Sequence, residues 1–408
     1  MFKLLRIPEM INSLLSDLEM LFTVPQWVHL QTMLLSLVIT PFKPTVVGRD
    51  RVIGFGPHRT KRNEFLQNHD AILCKALRLY ALKLIALLGR SREPLYIILD
   101  DTKAAKRGKH IQAAWHMFDH VTKRFIWGHQ FVCMTLVYRH MTIPYAMELY
   151  RSKDDCKKRG LPFRKLTAIA EDLIRAVPDF GIPRVYVLAD TYYASKRIIA
   201  CVRSKGFHCI SVLKSNRCIA LKGRRTTIQK FIKRHFAHRR KRHVAAGSAR
   251  FATVLQPCHL PGVGSVTIVC SQKRGRHAIL TLVSTDTSLN ASQVITIYRV
   301  RWSIEVLFKH AKQYLGLTAY HHRDERAVRT HLQLVLLAYC LLTHLFLAEL
   351  RAQGKPFTPK RLATFAIRES QVHLRSLVTL ETLDCIKEHV HHSKENLFEE
   401  IKTHLLAA

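Results

Sequence analysis

The chain has 408 residues, 48% of them hydrophobic, so it can bury a sizeable core and is long enough for two or three domains. Lys and Arg number 65 against 29 Asp and Glu, a formal charge of +36 that exceeds what solubility requires and calls for a polyanionic partner, nucleic acid first. These values exclude a disordered tail.

From Met1 to Arg92 the pattern is helical. Gln26–Leu37 and Glu64–Leu88 carry apolar residues at spacings of three and four, separated by a Gly-, Pro- and Arg-rich connector from Pro41 to Lys61. Residues 1–92 are therefore expected to form a helical N-terminal domain. Its basic connector, GRDRVIGFGPHRTKR, reads equally as a nucleic-acid grip or a solvated loop. The N-terminus, MFKLLRIPEMINSLLSDLEM, mixes Glu9, Asp17 and Glu19 into its apolar residues, so no export signal is expected.

After Pro94 the period changes. Leu95–Leu99, Phe125–Tyr138 and Met141–Leu149 read as three strands, Phe163–Val177 as an amphipathic helix and Val185–Ala189 as a fourth strand. A helix-like Ala194–Ser204 and a strand Cys209–Leu213 follow. The order β-β-β-α-β-α-β over residues 93–213 resembles the ribonuclease H-like arrangement, an α/β sheet whose first and fourth strands lie side by side.

From Lys214 to Arg276 the chain is strongly basic, with KGRR and HRRKRH, and has short strand-like runs such as Val266–Cys270. Residues 214–276 are expected to be a separate β-rich insertion, with Ala278–Ser284 returning to the core. Residues 277–350 complete that core through two long helices, Ala291–Tyr314 and Arg323–Leu350, and 351–408 form a helical C-terminal region. The longest apolar stretch, Leu332–Leu347, contains Gln333, Tyr339, Thr343 and His344; it is too short and too polar for a membrane span and is expected to be buried.

The ten cysteines are scattered, the closest pair being Cys201 and Cys209, so no CxxC pair offers zinc or redox chemistry and reduced thiols are expected. His321 and His322 lack any HExxH-like spacing and are expected to add to nucleic-acid contact. Carboxylates are more informative. Asp100 and Asp190 each follow an apolar strand, LYIIL and VYVLA, so neighbouring parallel strands would deliver both to one sheet edge. Carboxylate oxygens are what Mg²⁺ prefers, although an Asp after a strand is equally a turn former or helix cap. Asp101 competes with Asp100, because adjacent strand residues face opposite ways and only one can join such a cluster; Asp100 is the favoured reading.

In YRVRWSIEVLFKHAK, Tyr298, Arg301, Glu305 and Lys312 stand at offsets that, at about 100° per residue, fall on one helix face. A surface ion-pair ladder would explain Arg301 and Glu305 at i and i+4. The neighbours Trp302, Ile304, Val306, Leu307 and Phe308 make the helix largely apolar, and a buried helix keeps charges only where they are partnered.

The pattern Y-x2-R-x3-E-x6-K resembles the signature of one branch of bacterial insertion-sequence DDE transposases. The preceding STDTSLNASQVITIY, LDDTK around Asp100 and LADTYY around Asp190 are similar to the family's other blocks, and the resemblance runs from Tyr96 to Leu342. It implies a ribonuclease H-like core with a β-strand insertion. Asp100, Asp190 and Glu305 would be the catalytic triad, holding two Mg²⁺ ions, with Mn²⁺ able to substitute. Tyr298, Arg301 and Lys312 would hold DNA phosphates, and Trp302 would pack in the core or stack on the DNA. From their position just after Asp100, Lys103, Lys106, Arg107 and Lys109 read either as DNA-backbone contacts or as an exposed solubilising loop.

The implied partners are double-stranded DNA, both transposon ends and target, and a second copy of the chain on DNA, with no membrane and no small-molecule substrate. A cytoplasmic, nucleoid-associated bacterial location follows, and the 1–92 region would bind DNA ends. The expected reaction is metal-dependent cleavage at the ends followed by strand transfer, with ordinary carboxylate pKa values because neighbouring cations favour the ionised form. The rival readings are a catalytically silent DNA-binding repressor and a nuclease on the same fold.

Overall fold

The apolar runs after Pro94 become the centre of a mixed, mostly antiparallel sheet. The computed structural model describes residues 6–40, 45–54, 56–120, 122–236, 241–384 and 387. These fall into two compact units, one from Met1–Tyr80, Ala311–Pro356 and Thr364–Ala408, the other from Ala81–His310 and Phe357–Ala363.

In the second unit the strands are β1 (Leu95–Ala105), β2 (Trp115–Asp119), β3 (Arg124–Tyr138), β4 (Met141–Tyr150), β5 (Val185–Ala189) and β6 (His208–Val212). They continue with β7 (Cys218–Leu221), β8 (Arg224–Thr227), β9 (Arg242–Ala246), β10 (Ala249–Leu260), β11 (Gly264–Lys273) and β12 (Ile279–Ser284). Their order is β2-β3-β1-β5-β6-β12-β11-β10-β7-β8, with β4 also on β3 and β9 on β10. Among the described residues only the β1–β5 and β5–β6 pairs are parallel. All five residues of β5 are buried, which its unbroken apolar run VYVLA anticipates for a strand covered on both faces.

Two expectations are revised here. Strand β1 does not end at Leu99 but runs through both aspartates to Ala105, because the 15-residue β3 pairs with it antiparallel from Tyr96↔Val137 to Ala105↔Gly128. Gly128 permits that far end: a Cβ there would lie 2.1 Å from the Ala104 carbonyl oxygen, so no side chain fits. The basic stretch 214–276 does not make a sheet of its own either. Its strands join the first sheet through β11, which pairs with β12, which pairs with β6. Lys222 and Gly223, both at positive φ (46° and 78°), turn β7 into β8 in the manner of a tight hairpin. Part of HRRKRH lies outside the described residues.

Helix Leu166–Arg175 buries one amphipathic face, including Ile169, Leu173 and Ile174. Helix Lys196–Ser204 starts where the Ser195 hydroxyl accepts the Ile198 N–H and connects β5 to β6 as a βαβ unit.

The first unit is helical. Its helices include Val24–Ile39, Arg59–Asn68 and Glu325–Ala352, and the single helix expected over Glu64–Leu88 is two, broken at His69 before Asp70–Leu87. Helix Glu325–Ala352 is long and apolar enough to cross a membrane, yet 89% of its most apolar window is buried within the fold, as expected for Leu332–Leu347. The connector is partly ordered inward: Arg49 is buried against the His331 ring nitrogen at 3.0 Å, so it is no solvated loop there. Residues 41–44 and 55 of that connector, and most of the tail beyond Asp384, lie outside the described residues.

Candidate active site

The site grows from the register of β1 and β5. Their last parallel pair is Leu99↔Ala189, so Asp100 and Asp190 are the next residue on each strand, where β5 ends and β1 continues. The Asp190 carboxylate accepts the backbone N–H groups of Tyr192 (2.9 Å) and Tyr193 (3.3 Å), fixing a turn that holds it at the strand end.

The third carboxylate arrives on a different element from the one expected. The continuous helix Ala291–Tyr314 is two helices, Ala291–Arg299 and Trp302–Tyr314. Between them N–H groups reach back three residues: Val300 to Ile297, Arg301 to Tyr298 and Ser303 to Val300, each at 3.0 Å. This tighter winding interrupts the α-helical repeat. Tyr298 therefore closes one helix, Glu305 opens the next, and Arg301 sits in the turn.

The turn aims Arg301 at the sheet. Its Nη1 lies 2.7 Å from Asp100 Oδ2 and its Nη2 2.5 Å from Glu305 Oε1, so one guanidinium joins two carboxylates about two hundred residues apart in the chain. Its carbon also stands 6.0 Å from the centre of the Tyr298 ring. With side-chain exposures of 17% for Arg301 and 16% for Asp100, the first of these pairs is largely screened from water.

Asp101 faces the other way, as a strand requires, and its Oδ2 accepts the Gln130 amide at 2.7 Å. Only Asp100 shares a partner with Glu305. Gln130 was not singled out in the sequence; it reaches Asp101 because β3 sets Gln130 opposite Lys103, on Asp101's face. Tyr193 is the other residue without an earlier role. It is fully buried, its hydroxyl has no hydrogen-bond partner among the described residues, and Asp101, Asp100 and Asp190 all act on it electrostatically.

The expectation of ordinary carboxylate pKa values fails at Asp100. Burial pushes its carboxyl up to about 7, and Arg301 and the Asp101 N–H only partly pull it back, while Asp190 and Asp101 add repulsion. Asp101 is raised as well, chiefly by burial. Burial likewise pushes the Tyr298 phenol up to about 12.

Trp302 does not pack in the core: it is 62% exposed, because the helix break leaves it at the start of the second helix. Lys103 is engaged, its Nζ donating to the Phe118 carbonyl of β2 at 2.6 Å. Arg107 is exposed in the loop after β1, and Lys312 is exposed two turns beyond Glu305 on the same helix.

Among the described residues no three His, Cys, Asp or Glu side chains gather closely enough to hold a metal ion together. The donor chemistry nevertheless fits a hard divalent cation. A positive group, Arg301, already stands between Asp100 and Glu305, and the buried, partnerless Tyr193 hydroxyl faces the same aspartates with a hydrogen bond to give.

Residues 164–341 match the protein family described as the transposase DDE domain. The match takes in Asp190, Tyr298, Arg301, Glu305 and Lys312 and begins beyond Asp100. A Sinorhizobium fredii (strain NBRC 101917 / NGR234) protein named "Putative transposase y4zB" is 34% identical over 70 residues, 17% of this chain and 20% of that relative. The resemblance to DDE transposases is thereby shown over residues 164–341, and the chain spans about a fifth of the length of the relative it matches.

Proposed function

We propose that the chain is a DDE-type DNA transposase with a ribonuclease H-like core, cutting DNA at transposon ends and joining the freed ends to target DNA. The strand order β4-β3-β1-β5-β6, with β1 and β5 parallel and adjacent, supports that core. The observation that carries the reading is the Arg301 guanidinium bound at once to Asp100 and Glu305, beside the strand end bearing Asp190.

Asp100, Asp190 and Glu305 are the residues that would hold two Mg²⁺ ions, or Mn²⁺ in their place. Bound there, such ions would supply charge to stabilise the attacking and leaving oxygens of an in-line displacement at phosphorus. The protein groups do the rest. Arg301, freed from the carboxylates, and Tyr298 beside it would hold a phosphate next to the scissile bond, and Lys312 would extend that grip along the same helix. Tyr193 would position a water or hydroxyl through its spare O–H. Trp302, exposed at the helix start, would stack on a base. Lys103 and Arg107 would follow the DNA backbone, the 1–92 domain would bind the ends, and 214–276 would act as the basic insertion. Double-stranded DNA is the partner, with two copies of the chain pairing two ends inside a bacterial cell.

In cleavage, water oxygen bonds to phosphorus as the 3′-oxygen leaves with a proton; in joining, that 3′-hydroxyl attacks target DNA and displaces another 3′-oxygen. The test is a strand-transfer assay with Mg²⁺. Glu305→Gln should abolish cleavage, a loss on the order of 10⁴-fold, while leaving DNA binding intact. One observation favours a second reading: Arg301 occupies oxygens of two of the three carboxylates, as a silent DNA-binding relative could tolerate. Binding without cleavage by the wild-type chain would select that reading, and cleavage without joining would select a nuclease.

A further inference from the structure

Charge is distributed very unevenly along this chain. From Thr191 to Thr285, between the second and third carboxylates, there are twenty Lys and Arg and not one Asp or Glu. Folding concentrates part of this excess. Strands β9, β10 and β11 lie side by side, with His243 and Gln272 both opposite Ala252, and the Arg274 N–H bonds the Arg250 carbonyl at 3.0 Å. By the two-residue strand repeat, His243, Arg250, Gln272 and Arg274 share one face. The end of β11 and the β11–β12 turn then add Lys273, Arg276 and His277, all exposed, around a hollow of about 650 Å³.

No carboxylate answers these cations. Among the described residues none of Arg250, Lys273, Arg274 and Arg276 forms an ion pair, and the sequence around them offers none. Four like charges held by one three-strand ribbon repel one another, which the fold sustains at little cost only in water or against an anion of matching length. The ribbon is also tied to the candidate site. From helix Ala291–Arg299, Ser292 donates to the Ala245 carbonyl at 2.6 Å and Arg299 donates to the Ala246 carbonyl, and the same helix ends in the Tyr298 turn.

We propose that the hollow formed by β9, β10 and the β11–β12 turn is a second DNA-binding site, taking consecutive phosphates of a duplex whose neighbouring stretch enters the carboxylate site. This rests on the reading of the chain as a DNA-processing enzyme. Recognition is of backbone and not of base sequence, because an open hollow lined by four flexible cations meets phosphates rather than base edges.

The test uses the full chain and a fluorescent 30-base-pair duplex of arbitrary sequence. Binding is titrated across salt concentrations for wild type, for Arg250→Ala/Lys273→Ala/Arg274→Ala/Arg276→Ala, and for Glu305→Gln. Each lost phosphate contact lowers the slope of log affinity against log salt by about 0.9, so the quadruple variant should lose about 3.6 of that slope and Glu305→Gln none. Arg250→Lys/Arg274→Lys/Arg276→Lys should keep the wild-type slope. An unchanged slope in the alanine variant overturns the proposal. So does a lysine variant that loses it as fully, since folding and not charge would then be responsible. If no DNA is ever cleaved yet the alanine variant still loses its slope, the enzyme reading fails and the DNA-binding hollow stands.

Discussion

Two regions of the sheet hold charge in opposite ways. Beside β1 and β5 two half-buried carboxylates, Asp100 and Glu305, share one guanidinium; on β9, β10 and the β11–β12 turn many cations stand exposed with no carboxylate among them. The carboxylate region depends on register, since one residue of slip would turn Asp100 away from Arg301. The basic region depends on sign and number, and tolerates exchange of one cation for another. Substitutions should therefore act on stability and metal response in the first region, and on salt dependence in the second.

The largest effect on stability is expected from Asp100→Asn, and it should depend on pH. The Asp100 carboxyl is raised from 3.8 to about 7 by burial, so the folded state holds the proton more tightly than the unfolded state. Its favourable contribution is complete below about pH 4 and is lost as pH rises through 7. Asn cannot ionise and escapes that loss. Thermal melts in EDTA should show the variant gaining about 3 kcal/mol more over wild type at pH 8 than at pH 5. A gain independent of pH, or larger at pH 5, would mean that Arg301 and not burial governs this carboxyl.

Metal binding comes next in size. At a hundredfold excess over its dissociation constant, Mg²⁺ should stabilise wild type by about 2.7 kcal/mol at pH 8, and Asp190→Asn should remove the gain. The quadruple alanine variant of the basic hollow should keep it in full, which separates the two regions in one assay. Arg301→Ala should follow, costing about 2 kcal/mol without metal because Asp100 and Glu305 lose their common partner. A loss that Mg²⁺ partly restores would show guanidinium and metal ion competing for the same oxygens.

What the sequence revealed here tracks what each feature needs physically. The adjacency of β1 and β5 was legible because strands buried on both faces must be apolar throughout, and LYIIL and VYVLA are. The extension of β1 through Asp100, Asp101 and Lys103 was not, because its cause lies in β3, whose Gly128 lets the strands approach. The break at Val300 and Arg301 was hidden too. Neither residue is Gly or Pro, and the tighter turn is compensated by an ion pair with a strand two hundred residues earlier. Strands β9 and β10 were missed because RHVAA and ARFATVLQPCHL lack a clean alternation and take their pairing from β11.

Trp302 tests the smallest and most local consequence of that break. On an unbroken apolar helix it would be core, and its loss would cost about 3 kcal/mol or more. At 62% exposure it covers little, so Trp302→Ala should leave the unfolding free energy within about 0.5 kcal/mol of wild type. If the exposed indole stacks on a base near the cut, the same variant should weaken binding to a cleaved DNA end by about tenfold while sparing an intact duplex. A large stability loss with unchanged end binding would return Trp302 to the core and remove the helix break from the site's design.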